Sequence, residues 1–259
     1  MAQALVTGGG GFLGSALVRL LVAQGYSVRT FARHRYPALG ALGVVQVQGD
    51  LQDYEAVESA CRNADVVFHT AAKAGVWGSR QAFEMVNVAG TRHVIEACRA
   101  ARVSRLIYTS SPSVVLGAGD HAGIDESAPY PDTYLTHYPA TKAVAEQMVR
   151  AAADPSMHTL CLRPHLIWGP GDPHLVPRIL NRADRLRRIG NGRNLVDTTY
   201  IDNAAQAHLL AAECLAQNPA LSGRVYFVAN DEPMLLWEMI DAILAAGGKP
   251  PVRKRISCL

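Results

Sequence analysis

The chain lacks any apolar run long enough to cross a bilayer. Its most apolar stretch, Met234 to Ala246, is broken by Glu238 and Asp241, whereas a spanning helix needs about 20 apolar residues in succession. No basic segment precedes an apolar core at the N-terminus, so no signal peptide is read in Met1-Ala2-Gln3-Ala4-Leu5-Val6. Cysteine is scarce. The five cysteines (Cys61, Cys98, Cys161, Cys214 and Cys258) are scattered and odd in number, with no Cys-x-x-Cys pair and no Cys/His ligand spacing. This argues against a disulfide framework and a zinc or other metal site, and fits reduced thiols in a cytoplasmic protein. Excess charge is missing too. The formal net charge is +3, and no dense Lys/Arg block is interleaved with aromatics, which argues against a nucleic-acid partner. Repeats and low-complexity tracts are absent.

What remains is the composition of a packed protein. With 259 residues, 49% hydrophobic and 18% charged, the chain suffices for one large domain or one domain and a small lobe. Short β-rich runs alternate with helical patterns. Strands are expected at Ala4–Thr7, Ser27–Phe31, Val44–Val47, Val66–His69, Arg105–Thr109 and Thr159–Leu162, and helices at Phe12–Gln24, Tyr54–Cys61, Gln81–Ala100 and Tyr138–Ala152. Strand–helix alternation predicts a parallel sheet covered on both faces, and strands apolar throughout suit that burial. The expected fold is α/β, a Rossmann-type doubly wound parallel sheet with a smaller substrate lobe. The dinucleotide-binding domain is read over 1–163 and the lobe over 164–259, with a crossover back to the sheet. The lobe is read as a helix at about 174–188, a helix at Asn203–Gln217, a strand at Val225–Val228 and a helix at Leu235–Ala246.

Thr7-Gly8-Gly9-Gly10-Gly11-Phe12-Leu13-Gly14 follows the first strand and opens the first helix. Glycines at 8, 11 and 14 permit a tight turn, close approach of backbone to a pyrophosphate, and tight helix–strand packing. The helix N-terminus adds free N–H groups. An acidic residue about 20 positions on would accept from the adenosine ribose of NAD. No Asp or Glu occurs between Gly14 and Asp50, and the second strand ends in Phe31-Ala32-Arg33-His34-Arg35. Arg33 can pair with a 2′-phosphate, so NADP(H) is the expected cofactor. NAD(H) is accommodated if Arg33 only stacks on adenine.

Tyr138-Pro139-Ala140-Thr141-Lys142 places Tyr and Lys one helical turn apart, the only such spacing in a chain with nine tyrosines. Free tyrosine titrates near 10. An adjacent ammonium favours the phenolate, which suits proton exchange with an alcohol. Tyr108-Thr109-Ser110-Ser111 ends a strand, where ligands of open α/β sheets bind.

These motifs, with Asp50-Leu51, His69-Thr70-Ala71-Ala72 and Asn87-Val88-Ala89-Gly90-Thr91 in order, resemble the extended short-chain dehydrogenase/reductases over nearly the whole chain. Leu162-Arg163-Pro164-His165-Leu166-Ile167-Trp168-Gly169-Pro170-Gly171-Asp172 and Asp197-Thr198-Thr199-Tyr200-Ile201-Asp202-Asn203-Ala204 resemble the 3β-hydroxysteroid dehydrogenase branch, which includes sterol-4α-carboxylate 3-dehydrogenases. Ala72-Lys73-Ala74-Gly75-Val76-Trp77-Gly78 is similar to the bacterial 2-alkyl-3-oxoalkanoate reductases. The resemblance implies Tyr138 as acid/base, Lys142 lowering its pKa and holding the nicotinamide ribose, and Ser111 orienting substrate, with Ser110 as fallback. It places Gly8, Gly11, Phe12, Leu13 and Gly14 at the pyrophosphate and Asp50 and Leu51 at adenine. Ala71, Ala72, Lys73 and Asn87 fall on the cofactor side, and Pro164 to Ile167 at the carboxamide. It also implies a homodimer through helices 81–100 and 138–152. Relatives of this type look longer, so the lobe reads as cut short at its C-terminal end.

The implied activity interconverts a secondary alcohol and a ketone on a lipid-like substrate, by hydride transfer. A 2-alkyl-3-oxoalkanoate reductase is the first alternative. A non-catalytic NADP(H)-binding protein is the second, disfavoured because Tyr138 and Lys142 are both present. Such substrates call for an apolar pocket with one cationic anchor, for which Lys73 is a candidate. Arg178, Arg182 and Arg185 share one face of the 174–188 helix and are read as a solvated face. Trp77 and Trp168 are read as pocket lining or core.

Overall fold

The computed structural model describes residues 1–117, 119 and 121–257; Cys258 lies outside them. In chain order the elements begin with β1 (Gln3–Thr7), α1 (Phe12–Ala23), β2 (Ser27–Ala32), α2 (Pro37–Gly40), β3 (Val45–Gln48), α3 (Tyr54–Cys61) and β4 (Val66–His69). A bent helix follows as α4 (Arg80–Phe83), a π-helical turn (Glu84–Ala89) and α5 (Gly90–Ala100). Next come β5 (Arg105–Thr109), α6 (His137–Ala151) and β6 (His158–Pro164).

Beyond Pro164 the elements shorten. They are β7 (Ile167–Trp168), α7 (Leu175–Asn181), β8 (Arg188–Ile189), β9 (Leu195–Val196) and β10 (Thr199–Tyr200), then α8 (Ile201–Gln217), β11 (Arg224–Val228), β12 (Met234–Leu235), α9 (Leu236–Ala246) and β13 (Arg255–Ile256).

Seven strands form one parallel sheet in the order β11-β6-β5-β4-β1-β2-β3. The order reverses beside β1, which creates a crevice at the strand ends where a ligand can sit. Helices α1 and α8 cover one face, with Leu13, Leu17, Leu21, Leu209 and Leu215 packed on Val6, Phe68 and Ile107. Helices α3, α5 and α6 cover the other, with Val57, Val94 and Val149 on Leu5, Val67 and Leu106. Both faces of every central strand are therefore dry, which explains strands such as Val66–His69 that are buried throughout. The chain is a Rossmann-type α/β protein.

The crossover expected within 164–259 is α8 and β11, which return to the sheet. The rest of that segment carries three two-stranded pairs, β10-β7, β12-β9 and β13-β8, and a small core of Ile179, Trp237, Met239, Ile240, Leu244 and Val252.

Two expected helices differ. The segment expected as one α-helix over 81–100 widens into π geometry at Glu84–Ala89. The helix expected over 174–188 stops at Asn181. Arg182 leaves helical geometry (φ −111°, ψ 9°), a single 3-10 turn follows, and Arg188 enters β8. Arg178, Arg182 and Arg185 therefore do not share one helix face. No helix among the described residues is long and apolar enough to cross a membrane. The described cysteines are unpaired thiols, Cys61, Cys98 and Cys161 buried and Cys214 exposed.

Candidate active site

The glycine-rich turn sits where β1 ends, pinned by Gly8 N–H donating to Phe31 O at 2.8 Å and Gly11 N–H to Gly8 O at 2.8 Å. Gly8 has φ +69°, and a Cβ there would meet the Ala71 Cα at 2.9 Å. A Cβ at Gly14 would lie 2.2 Å from the Gly8 carbonyl oxygen. The turn after β1 thus lies against the turn after β4 with no side chain between. Helix α1 begins at Phe12 with Gly11 as its N-cap and no side-chain cap. The amides of its first turn, from Phe12, Leu13 and Gly14, have no partner within the helix. A bare backbone cradle at a helix N-terminus fits a dinucleotide pyrophosphate.

At the ends of β2 and β3, Arg33, His34 and Arg35 are exposed. The Arg33 carbonyl accepts from Gln48 Nε2 at 2.9 Å. Asp50 is half-buried and accepts from Gln52 N–H at 3.0 Å through Oδ1. Leu51 is buried, and a Cβ at Gly90 would lie 2.8 Å from its own Cβ.

Beyond β4, Ala71 and Lys73 are half-buried and Ala72 is exposed. Asn87, on the π-helical turn, is buried and spends its amide on the protein. Its Oδ1 accepts from Lys73 N–H at 2.8 Å, and its Nδ2 donates to Lys73 O at 3.1 Å and Thr141 Oγ1 at 3.0 Å. Asn87 therefore ties the loop after β4 to the helix that carries Tyr138. The Lys73 ammonium rests 5.1 Å from the Phe83 ring centroid.

The Ser–Tyr–Lys residues converge at the carboxyl end of β5 and the start of α6. The Ser111 hydroxyl neighbours the Tyr138 phenol and lies 2.8 Å from Ser113 Oγ. Ser110 is buried beneath, beside the Glu146 carboxylate, so Ser111 rather than Ser110 faces the phenol. Lys142 is only 2% exposed. Its Nζ donates to Thr109 O at 2.5 Å and lies 4.1 Å from the Tyr108 ring centroid. Burial lowers Lys142 to about 7, against an opposing pull from Glu146. Burial raises Tyr138, with the Ser111 hydrogen bond opposing it. Tyr138 is therefore raised rather than lowered, while the Lys142 ammonium is engaged by Thr109 O and the Tyr108 ring.

Several supporting residues were not legible in the motifs. Glu146, one turn beyond Lys142, forms a fully buried ion pair with Arg163, with Nη2 to Oε1 at 2.6 Å and Nε to Oε2 at 3.0 Å. Tyr130 OH donates to the same Oε1 at 2.6 Å. The Lys142–Glu146 spacing of four was the available signal. His69 is buried between Thr7 Oγ1 (2.7 Å) and Thr91 Oγ1 (3.0 Å), and burial, reinforced by Lys142, lowers it to about 3. His208 links Thr109 Oγ1 (2.8 Å) to Ala204 O (2.7 Å) and is lowered by burial to about 4.

Pro164 ends β6 and Ile167 opens β7, with Leu166 between them in the left-handed region at φ +36°. Thr199 Oγ1 donates to His165 O at 2.8 Å and holds this bend. Trp168 stands edge-on to Tyr200 at 5.3 Å. Trp77 is 86% exposed, so it is not core. Among the described residues no group of three or more His, Cys, Asp or Glu could hold a metal ion.

The sequence matches the 3-beta hydroxysteroid dehydrogenase/isomerase family over residues 5–256. It is 53% identical to a 2-alkyl-3-oxoalkanoate reductase of Stenotrophomonas maltophilia, over 98% of this chain and 78% of that protein. It is 39% identical to the mouse sterol-4-alpha-carboxylate 3-dehydrogenase, decarboxylating (Mus musculus), over 92% of this chain and 67% of that one. A dTDP-glucose 4,6-dehydratase from Streptomyces venezuelae, solved with NAD bound, shares the fold with a TM-score of 0.82 at 23% identity, over 99% of this chain and 84% of that one. The chain belongs to the 3-beta hydroxysteroid dehydrogenase/isomerase family and is an NAD(P)-dependent oxidoreductase of the extended short-chain dehydrogenase/reductase type.

Proposed function

We propose that the chain reduces the ketone of a branched, lipid-like 3-oxo acid to the alcohol, as a 2-alkyl-3-oxoalkanoate reductase using NADPH. The observation that carries this is the gathering of Ser111, Tyr138 and the buried Lys142 at the carboxyl end of β5 and the start of α6, next to the glycine turn. The 53% identity to a named 2-alkyl-3-oxoalkanoate reductase favours that substrate over a sterol carboxylate. A homodimer through the outer faces of α5 and α6 belongs to the same reading.

The bound nicotinamide supplies the hydride. Ser111 Oγ and Tyr138 OH together hydrogen-bond the ketone oxygen, and Tyr138 gives that oxygen its proton as charge develops there. Burial keeps the phenol protonated at neutral pH, the state from which a reduction starts. Lys142, buried and near neutrality in its titration, is placed to return the proton to Tyr138 and to meet the nicotinamide ribose. Gly8, Gly11 and the amides of Phe12, Leu13 and Gly14 would hold the pyrophosphate. Asp50 and Leu51 would flank adenine, and Arg33 would pair with the 2′-phosphate. Ala71, Ala72 and Lys73 would line the ribose, with Asn87 fixing their loop, and Pro164 and Ile167 would meet the carboxamide.

Oxidation of NADPH or NADH with a 2-alkyl-3-oxo fatty acid, and reduction of NADP⁺ or NAD⁺ with a 3β-hydroxysterol 4α-carboxylate, test the reading by absorbance. The oxo acid should turn over with NADPH. Tyr138→Phe should lower kcat by about 10²–10⁴ with cofactor affinity kept, and Arg33→Ala should weaken NADPH but not NADH. Turnover of the sterol alone, or equal use of both cofactors, would overturn the assignment.

A further inference from the structure

The segment 174–188 holds five arginines (Arg178, Arg182, Arg185, Arg187 and Arg188) against one acid, Asp184. Two arginines are engaged within the fold. Arg188 pairs with Asp241, and Arg187 Nη1 donates to the carbonyls of Asp184 (3.0 Å) and Leu186 (2.8 Å). The nearest acid upstream, Asp172, is also engaged. Its carboxylate accepts from the backbone N–H of His174 (2.7 Å), Leu175 (3.1 Å) and Val176 (2.8 Å).

Arg178 and Arg182 differ. Neither side chain has an ion pair or hydrogen bond among the described residues, yet both line a cleft of about 430 Å³ whose remaining wall is His174 and the apolar Leu166, Ile167, Leu175, Ile179 and Leu186. That volume suits a small-molecule site. Leu166 and Ile167 lie two and three residues past Pro164, the last residue of β6, so the cleft borders the end of that strand. Two guanidinium groups one turn apart repel each other, and each presents a donor fork shaped for a carboxylate or phosphate.

We propose that this cleft is an anion subsite of the substrate channel, in which Arg178 and Arg182 hold the acidic head of an amphipathic substrate while Leu166, Ile167, Leu175 and Ile179 hold its hydrocarbon. This rests on the reading of the chain as a reductase of a lipid-like acid and names what that acid binds. The sequence alone favoured a solvated face for these arginines. All three are indeed exposed, and two of them, Arg178 and Arg182, also border the cleft while Arg185 does not.

Calorimetric titration with a 2-alkyl fatty acid, which has no ketone to reduce, and with its methyl ester tests the subsite without turnover. The NADPH-loaded protein should bind the acid about tenfold or more tighter than the ester, the scale of one charge-assisted hydrogen bond. The double variant Arg178→Gln/Arg182→Gln should bind both alike, and Arg185→Gln should keep the preference. Displacement of the acid by 4′-phosphopantetheine would assign the anion to a carrier phosphate, and its failure to displace would assign a free carboxylate; either supports the subsite. Equal affinity of acid and ester for the unaltered protein, binding of neither, or a preference that survives in the double variant would overturn it. Acid preference without NADPH oxidation by the 3-oxo acid would keep the subsite and remove the reductase reading, so the two fail separately.

Discussion

Strand β5 is buried from Leu106 to Tyr108 and paired on both sides, by β4 and by β6. Strands β7, β8 and β9 are two residues long and paired once each. The sheet is held by two dry faces and a continuous parallel ladder. The lobe is held by one small cluster around Trp237 and Leu244 and by single ties such as Arg188–Asp241. Rigidity is thus concentrated where cofactor and acid/base must be fixed. The region proposed to receive a variable hydrocarbon has a thinner core and more exposed backbone, the properties of low local stability.

The largest test of that contrast is Gly14→Ala. Its Cβ would fall 2.2 Å from the Gly8 carbonyl oxygen, where neither backbone can yield without moving β1 or α1. The expected cost is about 3 kcal/mol with dinucleotide binding lost. Unfolding in urea with and without cofactor measures both, and an unshifted midpoint would show that the turn is softer than the sheet it joins.

Leu244→Ala comes next, emptying the centre of the lobe core. About 2–5 kcal/mol is typical of such a deletion. The effect on global unfolding should be smaller than that if the lobe opens before the sheet. Hydrogen exchange should show faster exchange in 236–246 with the β4 and β5 amides unchanged. Equal loss in both regions would mean that they unfold as one unit.

Acid supplies a milder probe of the sheet. His69 and His208 are held neutral by burial, at about 3 and about 4, against a free value near 6.5. Below 6.5 the unfolded chain takes up protons that the folded one refuses, so these groups favour the fold above 6.5 and lose that contribution as pH falls toward 4 and 3. The thermal midpoint should decline over that window; a flat midpoint would show that other groups compensate. The smallest effect expected is for Leu166→Gly, which relieves a left-handed leucine at the hinge between sheet and lobe and offsets this with added chain entropy. Stability should move by less than about 1 kcal/mol, while the KM for the lipid substrate responds more than kcat.

The same contrast explains what was legible. Strands such as Val66–His69 announce themselves because burial on both faces demands continuous apolar residues, and Gly8 and Gly14 because a Cβ would collide with the backbone at Ala71 and at Gly8. The Tyr138–Lys142 pair was readable from helical spacing, and the strand end that carries Ser110 and Ser111 was readable from the run Tyr108-Thr109-Ser110-Ser111. The lobe carried no such signal. Two-residue strands have no period, and the alternation of Arg and Leu through 178–186 continues a helical pattern past the point where Arg182 leaves the helix. The Glu146–Arg163–Tyr130 cluster joins residues 16 and 17 positions apart with no local pattern beyond the spacing of Glu146 from Lys142. The contacts of the Lys142 ammonium with Thr109 O and the Tyr108 ring are contained in no motif.

The π-helical turn at Glu84–Ala89 bears on tolerance to insertion and deletion. Such a turn holds one residue more than an α-helix needs, and its hydrogen bonds could re-form after a deletion. A deletion between Glu84 and Ala89 would therefore leave helix content almost unchanged. It would change the direction of Asn87 within the turn and part its amide from either the loop after β4 or Thr141. By far-ultraviolet dichroism the shortened protein would look native, but Tyr138 and the loop after β4 would no longer be held in one frame.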